Sequence, residues 1–270
     1  MGSMLESKLT AEQHAVIKKV LVAQTESLGT IEAPVVEDLL KKRKCRKVLD
    51  IGCGEGSFLL KIAERLKGVQ FLGIDHNQLA IDDALRNVRG HLKRRVKYRT
   101  AFFDAGFDRA KYDAIMTRYT LQHSSEPQVF LKEVFDRLKK NGVFLCLESL
   151  DAYTDCHVRD PLWDRFKSSV AEIHKRVGSN DNIGKSLGSK LNAAGFRDIQ
   201  VRVVLCSPST VGIDRFRSVV QSSAELAVAF FPDLFEPKLL EELKEWLSDR
   251  ERMEKNDPYI CSAVANGTKP

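Results

Sequence analysis

The sequence of 270 residues contains no apolar run long enough to cross a membrane, and its first residues lack the apolar core of a signal peptide. Its six cysteines lie far apart and form no C-x-x-C pair, which argues against a disulfide framework and against a zinc site. The sequence also has no internal repeat and no long linker. These absences predict a cytoplasmic protein with reduced thiols and no membrane partner.

The length of the chain suits one α/β domain with additions or two small domains. Hydrophobic residues make up 43% of the chain and charged residues 30%, which is typical of a globular protein with a sizeable core. The net charge of +6 is modest and does not require an acidic partner. We expect one domain over residues 1–270, with an N-terminal helical cap (1–44), a core (45–205), and a helical hairpin with the last strand (206–270). Pro34 is expected to begin the second helix of the cap.

The stretch from Val48 to Asp75 has the strongest local pattern. Val48–Ile51 predicts a short buried strand, followed by a turn with three glycines and a helix with one apolar face. Val69–Ile74 predicts a second strand, which carries Asp75 to the carboxyl edge of the sheet. In an open α/β sheet this edge binds nucleoside-like ligands, with the glycine turn at one end and a carboxylate for ribose hydroxyls at the other.

The glycine spacing distinguishes between possible ligands. Dinucleotide-binding turns have the pattern G-x-G-x-x-G, whose third glycine allows close helix packing. Here the pattern is G-x-G-x-G, and Ser57 occupies the position of that third glycine. Asp50 precedes the turn, where it would repel a pyrophosphate but attract a ligand with a cationic head. The spacing therefore favours a cationic nucleoside ligand over a dinucleotide.

These residues resemble the first motif of the class I S-adenosylmethionine-dependent methyltransferases, D-x-G-x-G-x-G, position by position. The resemblance implies a seven-stranded, mostly parallel, doubly wound α/β sheet with helices on both faces, N-terminal helices and a helical insertion before the last strand. It implies S-adenosyl-L-methionine as cofactor and S-adenosyl-L-homocysteine as product. The cofactor-binding residues that it implies are Asp50, Gly52, Cys53, Gly54, Gly56, Asp75, His76, Asp104, Ala105 and Arg118. Asp104 follows a third predicted strand, Val96–Phe103, and either contacts the adenine of the cofactor, as the resemblance implies, or forms a turn before Gly106.

Later segments resemble further motifs of the same family. Residues 112–138 resemble its fourth motif, including the ending Leu121-Gln122-His123, and residues 183–195 resemble a late helix that ends at Gly195. Metal-dependent members have an acidic ligand after the fourth strand, where this chain has Thr117-Arg118, so we expect no bound Mg²⁺ and no metal site. The Asn/Asp-Pro-Pro-Tyr-type motif of enzymes that methylate nucleic-acid amines is also missing.

The resemblance predicts methyl transfer to an oxygen or nitrogen of a small-molecule acceptor. An oxygen acceptor needs a general base, for which His123, His157 and Tyr119 are candidates, with His174 as a further histidine. In relatives, a histidine at the position of His123 usually supports the loop after the strand, so a structural role is also open. The aromatic segment 152–182 fits either an acceptor pocket or an amphipathic helix packed on its aromatic residues.

Two basic segments leave another class of substrate open. Residues 86–99 hold the densest cluster of Arg and Lys, and residues 41–47 form a second basic run. Each is either a solvated surface or a contact for nucleic acid, so an RNA or protein methyltransferase is an alternative, as is a non-catalytic relative. The two helices predicted near residues 212–231 and 236–251 could form a lid or the contact of a homodimer.

Overall fold

The computed structural model describes residues 10–270, and their secondary structure comprises eight strands and eleven α-helices. The strands are β1 (Lys47–Ile51), β2 (Gln70–Asp75), β3 (Val96–Thr100), β4 (Tyr112–Arg118), β5 (Leu138–Ser149), β6 (Asp155–Cys156), β7 (Arg197–Cys206) and β8 (Pro258–Thr268). The helices are α1 (Ala11–Glu26), α2 (Leu28–Lys42), α3 (Ser57–Arg65), α4 (Gln78–Asn87), α5 (Pro127–Arg137), α6 (Pro161–Val177), α7 (Leu187–Ala193), α8 (Pro208–Val211), α9 (Ile213–Phe230), α10 (Pro237–Ser248) and α11 (Arg250–Asn256).

The strands form one sheet in the order β3-β2-β1-β4-β5-β8-β6, and β7 pairs with β8. All pairings among β1 to β5 are parallel, whereas β6 runs antiparallel to β8. The expected mostly parallel α/β sheet is therefore confirmed. The short strand β6 is an addition that the sequence pattern did not predict. The strand order reverses beside β1, because β2 and β3 lie on one side of it and β4 and β5 on the other. Open α/β sheets bind their ligands at such a reversal.

The described residues divide into two compact units. The sheet unit comprises residues 32–149, 182–203 and 263–270, and the helical unit comprises residues 10–31, 150–181 and 204–262. Both are assembled from separate stretches of the chain, whereas the predicted divisions fell at residues 44 and 205. The single-domain assignment stays a prediction, and residues 1–9 of the expected cap lie outside the described residues.

The core of the sheet unit follows the predicted pattern. Val48 and Leu49 of β1 are completely buried, as expected of a central parallel strand. Helix α3 buries Phe58, Leu59 and Ile62 on one face, which confirms the apolar period of that segment. These contacts fix the start of α3 at the end of β1, where the glycine turn lies.

The core of the helical unit is built from large aromatic side chains. Trp163 of α6 is completely buried and stacks on Trp246 of α10, with ring centroids 5.7 Å apart. Phe166 of α6 also packs against Trp163, with ring centroids 5.1 Å apart. A buried carboxylate on Asp160 accepts a hydrogen bond of 2.9 Å from the Trp246 indole. Trp163 and Phe166 are therefore core residues of the helical unit. Of the two interpretations of segment 152–182, this agrees with an amphipathic helix packed on its aromatic residues.

Most of the residues that favour helix ends and turns in the sequence occupy those positions in the structure. Asn77 caps the N-terminus of α4 through its side chain. Asn141 adopts a left-handed conformation with φ 62°, and Gly195 does so with φ 98° after α7. The expectation that Pro34 begins the second helix is wrong, because Pro34 lies inside α2. Pro34 is exposed, so water can hydrate the carbonyl that loses its helical hydrogen bond there.

Candidate functional site

A glycine turn at the carboxyl end of β1 forms one side of the candidate cofactor site. Gly52, Gly54 and Gly56 have positive φ angles of 73°, 55° and 81°. Gly56 is also the N-cap residue of α3. A positive φ is strained for residues that carry a side chain, so this turn requires glycine.

The same glycines allow close contacts with neighbouring strands. A Cβ atom at Gly52 would lie 2.3 Å from Oγ1 of Thr120, the second residue after β4. A Cβ atom at Gly56 would lie 2.6 Å from the hydroxyl of Tyr98, which donates a 3.1 Å hydrogen bond to the Gly56 carbonyl. Burial raises the pKa of Tyr98, so this phenol stays protonated and keeps donating. The turn is thus held between β3 and the loop that follows β4.

Asp75, the last residue of β2, lies opposite the glycine turn. Its Oδ2 accepts a 3.0 Å hydrogen bond from the Gly54 N–H, and its Oδ1 accepts a 2.9 Å bond from the Asn77 N–H. The side chain of Asp75 is 13% exposed, and its carboxylate has lone pairs beyond these two bonds. It can therefore accept hydrogen bonds from ligand hydroxyls while it fixes the glycine turn.

Asp50 supplies a buried carboxyl group on β1. The residue is 3% exposed, and burial, together with the nearby charge of Asp75, raises its pKa to about 7 against the pull of Arg118. A carboxylate in such a place is costly unless a positive charge approaches it. A cationic ligand fits this demand, and the glycine turn beside it leaves room for a ligand backbone, so the residues present fit S-adenosylmethionine.

An ion pair supports the loop after β4. Nε of Arg118 donates a 2.8 Å bond to Glu32 of α2, whose carboxylate is completely buried. The hydroxyl of Tyr119 donates a 2.6 Å bond to the other oxygen of Glu32. Although burial opposes its charge, the Glu32 carboxylate raises the pKa of Arg118. Arg118 and Tyr119, predicted as cofactor and catalytic residues, are therefore both held by one carboxylate from the N-terminal helices.

Glu148 of β5 fixes the next turn of that loop. Its completely buried carboxylate accepts hydrogen bonds from the N–H groups of Thr120, Leu121 and Gln122, at 3.2, 2.8 and 3.1 Å. Burial raises the pKa of Glu148 to about 7, although these N–H groups favour its charged form. Such bonds assign Glu148 a structural part rather than contact with a substrate cation. His123 ends this turn and is partly exposed.

Asp104 lies beyond β3, which ends at Thr100 rather than at residue 103 as predicted. Its Oδ1 accepts hydrogen bonds of 2.8 and 3.1 Å from the N–H groups of Gly106 and Phe107. Asp104 thus forms the turn that was the structural alternative for this residue, and its side chain remains exposed. Ala105 is exposed beside it.

Two further predicted cofactor residues border the glycine turn. His76 follows Asp75, and its exposed ring stacks on Phe102 with centroids 5.5 Å apart. Cys53 lies within the turn, where burial raises the pKa of its thiol well above the usual value. Cys53 is therefore a neutral, partly exposed side chain at the site.

The remaining predicted base, His157, belongs to the helical unit and is exposed after β6. His174, also in that unit, lies in the last turn of α6 with its Nδ1 3.6 Å from Asp151 and 3.5 Å from Asp181. Burial lowers the pKa of His174, while Asp181 opposes this shift. Burial and the charge of Asp181 raise the pKa of Asp151 to about 7. Of the three predicted bases, Tyr119 and His123 belong to the sheet unit, and His157 belongs to the helical unit.

Sequence reasoning missed three residues that shape the site: Glu32, Tyr98 and Thr120. Glu32 precedes its partner Arg118 by 86 positions, so no local pattern connects them. Tyr98 and Thr120 matter only because the sheet places them against Gly56 and Gly52. In β3, Val96 and Tyr98 alternate with the exposed Lys97 and Arg99, and this alternation was the available signal that Tyr98 is buried.

Comparison with known proteins adds independent evidence. Residues 42–188, just over half of the chain, match the family described as a methyltransferase domain. A carboxy-S-adenosyl-L-methionine synthase from Nautilia profundicola is 27% identical over 106 residues, which cover 38% of this chain and 44% of that protein. A ubiquinone biosynthesis O-methyltransferase from Pelagibacter ubique is 31% identical over 118 residues, covering 40% and 48%.

A solved structure shares the fold. It is that of Haemonchus contortus phosphoethanolamine N-methyltransferase 2 with phosphomonomethylethanolamine and S-adenosylhomocysteine, at a TM-score of 0.53 and 20% identity, covering 83% of this chain and 49% of that one. This chain spans about half the length of the curated relatives described above. Within residues 10–270, no helix combines the length and the apolar character that a membrane span needs.

Proposed function

Because the chain belongs to the class I S-adenosylmethionine-dependent methyltransferases, we propose that it transfers the methyl group of S-adenosyl-L-methionine to an oxygen or nitrogen of a small-molecule acceptor, without a metal at the cofactor site. The observation that carries the proposal is the arrangement around the glycine turn. Buried Asp50, positive-φ glycines and Asp75 lie along the carboxyl ends of β1 and β2. A cationic nucleoside ligand needs these three features together.

Each residue at this edge has a distinct part in binding. The carboxylate of Asp50 attracts the cationic part of the cofactor, and Asp75 accepts hydrogen bonds from its ribose hydroxyls. Gly52 and Gly54 give the turn its positive-φ backbone beside the ligand, and Arg118 balances the negative charge of the site. We further propose that His76, Cys53, Asp104 and Ala105 border the nucleoside.

For methyl transfer, the main task of the protein is to position the acceptor in line with the methyl group. The bound cofactor supplies an electrophilic methyl group, and alignment of an acceptor with it can lower the barrier by about 7–11 kcal/mol. An oxygen acceptor must also lose a proton, and we propose His123 or Tyr119 of the sheet unit as its base, with His157 as the third candidate. The Tyr119 hydroxyl donates a hydrogen bond to Glu32, so when its oxygen takes a proton from the acceptor, its own proton can pass to that carboxylate.

Two observations support a small-molecule acceptor: the names of the relatives, and the contacts made by arginines of the basic cluster (residues 86–99). The relatives include enzymes named for ubiquinone biosynthesis and for carboxy-S-adenosyl-L-methionine synthesis. In the basic cluster, Arg95 donates hydrogen bonds to the carbonyls of Ala63 and Leu66, and Arg99 pairs with Asp108. These cations serve the fold, which weakens the case for RNA as the substrate.

Radiolabelled S-adenosylmethionine tests the proposal. The purified protein is incubated with it and with three separated cell fractions: deproteinised small molecules, RNA and protein. We expect label in the small-molecule fraction, with less than a tenth of that transfer by the Asp75→Ala variant. Label in RNA or protein would contradict the acceptor class. Cofactor binding without any transfer would identify a non-catalytic relative.

A further inference from the structure

The helical unit contains a second cluster of chemically active side chains, formed by Asp151, His174 and Asp181. One ligand atom from each lies within 4.8 Å of the other two. Nδ1 of His174 is 3.6 Å from Oδ2 of Asp151 and 3.5 Å from Oδ2 of Asp181. One imidazole nitrogen thus faces two carboxylates at once.

Three separate backbone features bring these residues together. His174 lies in the last turn of α6, whose direction is fixed by the buried Ile173 and Trp163. Gly178 ends the helix with φ 69°, and the chain turns back so that Asp181 follows. The N–H of Asp151 then donates a 3.1 Å hydrogen bond to the carbonyl of Asp181. The backbone of all three residues is therefore linked through the end of α6, the turn after it and one hydrogen bond.

The distances suit coordination of an ion. Bonds of about 2.0–2.2 Å from a metal to nitrogen or oxygen place neighbouring ligand atoms roughly 3.0–3.6 Å apart. Both distances from His174 agree with that range. The side chains of Asp151, His174 and Asp181 are 29%, 24% and 20% exposed, so an ion and its remaining water ligands can reach them.

The donor set selects the class of ion. An imidazole nitrogen favours zinc and other first-row transition metals, whereas Mg²⁺ and Ca²⁺ prefer oxygen ligands alone. Two carboxylates that lie close to one imidazole nitrogen also favour a cation between the three side chains. We propose that Asp151, His174 and Asp181 bind one divalent transition-metal ion such as Zn²⁺, which ties the segment after β5 to the end of α6.

This site lies within the helical unit, and its assignment does not rest on the proposed methyl transfer. It departs from the expectation of no metal site, which considered only the end of the fourth strand. That expectation had no means of finding the cluster, because His174 follows Asp151 by 23 positions and their helix and turn meet only in the folded chain.

Calorimetry on metal-free protein tests the proposal. The protein is dialysed against EDTA and then titrated with ZnCl₂ and, separately, with MgCl₂. We expect one Zn²⁺ per chain, much weaker binding of Mg²⁺, and a rise in Tm with Zn²⁺ because the ion binds the folded state. His174→Gln and Asp181→Asn should each weaken Zn²⁺ binding at least ~10-fold. His91→Gln, which removes an exposed histidine elsewhere, should leave the affinity unchanged.

Several results would overturn the site. They are no Zn²⁺ uptake by the wild type, equal affinity in His174→Gln and the wild type, or a loss caused by His91→Gln. The metal-free Tm of each variant checks its folding. Asp181→Asn keeps the size of the side chain and remains decisive if His174→Gln fails to fold.

Discussion

The two units of this protein owe their internal order to different features. In the sheet unit, the functional edge depends on backbone conformation: three positive-φ glycines and two carboxylates at strand ends. In the helical unit, the order depends on bulky side chains, with Trp163 packed against Phe166 and Trp246. We therefore expect the helical unit to lose most stability when a large buried side chain is shortened. The functional edge of the sheet unit should lose most when a side chain is added at a glycine.

The largest effect is expected for Trp163→Ala. Trp163 is completely buried, and large-to-small changes of this kind cost about 3–5 kcal/mol through lost contacts and a cavity. Urea denaturation should show that loss in the free energy of unfolding. Val158→Ala in the same unit is the control, since Val158 is exposed and its change should cost less than about 0.5 kcal/mol. Equal losses in the two variants would break the comparison.

The opposite change tests the sheet unit. Gly52→Ala adds one methyl group that meets Thr120 and also forces a residue with a side chain to φ 73°. Together these should cost about 2–4 kcal/mol and lower the affinity for S-adenosylmethionine at least tenfold. Gly90→Ala is a matched control, because Gly90 also has a positive φ of 56° but has nothing within 4 Å of the new methyl. Calorimetry should find nearly normal affinity in that control; a loss as large as in Gly52→Ala would make backbone strain, not close approach, the cause.

The next effect concerns the carboxylate at the end of β2. Asp75→Ala removes an acceptor for ribose hydroxyls and for the Gly54 N–H, so binding should weaken by about 1.5–3 kcal/mol. Asp108→Asn is the control, since Asp108 likewise accepts a local N–H bond, at 3.0 Å from Ala110, but lies outside the site. Unchanged cofactor affinity in Asp75→Ala would remove Asp75 from the binding site.

The smallest effect is a linkage between binding and protons. Asp50 has a pKa of about 7 in the folded chain, against 3.8 ordinarily, so the folded state holds more protons than the unfolded state between these values. Its contribution to stability therefore falls as pH rises through this window. A cationic ligand favours the carboxylate, so cofactor binding at pH ~6 should release nearly one proton, and at pH ~8.5 almost none.

Calorimetry in buffers of different ionisation enthalpy measures this release. Asp50→Asn should abolish it. Glu148→Gln should preserve it, because Glu148 also has a pKa of about 7 but contacts the loop and not the ligand. Proton release of equal size in Asp50→Asn would assign the linkage to another group.

Sequence reasoning succeeded where structure is set by near neighbours along the chain. The turn after Val48–Ile51 follows from adjacent glycines, the start of α4 from Asn77, and the apolar face of α3 from its period. It failed where partners are distant. Glu32 reaches Arg118, and Asp160 reaches Trp246, only because elements far apart in the chain pack together. Pro34 was misplaced because a helix can tolerate proline on an exposed face when its other side is buried.

The most direct test of the cofactor site is a calorimetric titration of the purified protein with S-adenosylmethionine, S-adenosylhomocysteine and NADH. Micromolar binding of the first two, without binding of NADH, is the result expected from the G-x-G-x-G turn, Asp50 and Asp75. Binding of NADH, or failure of both sulfur ligands to bind, would contradict the assignment of this edge of the sheet to S-adenosylmethionine.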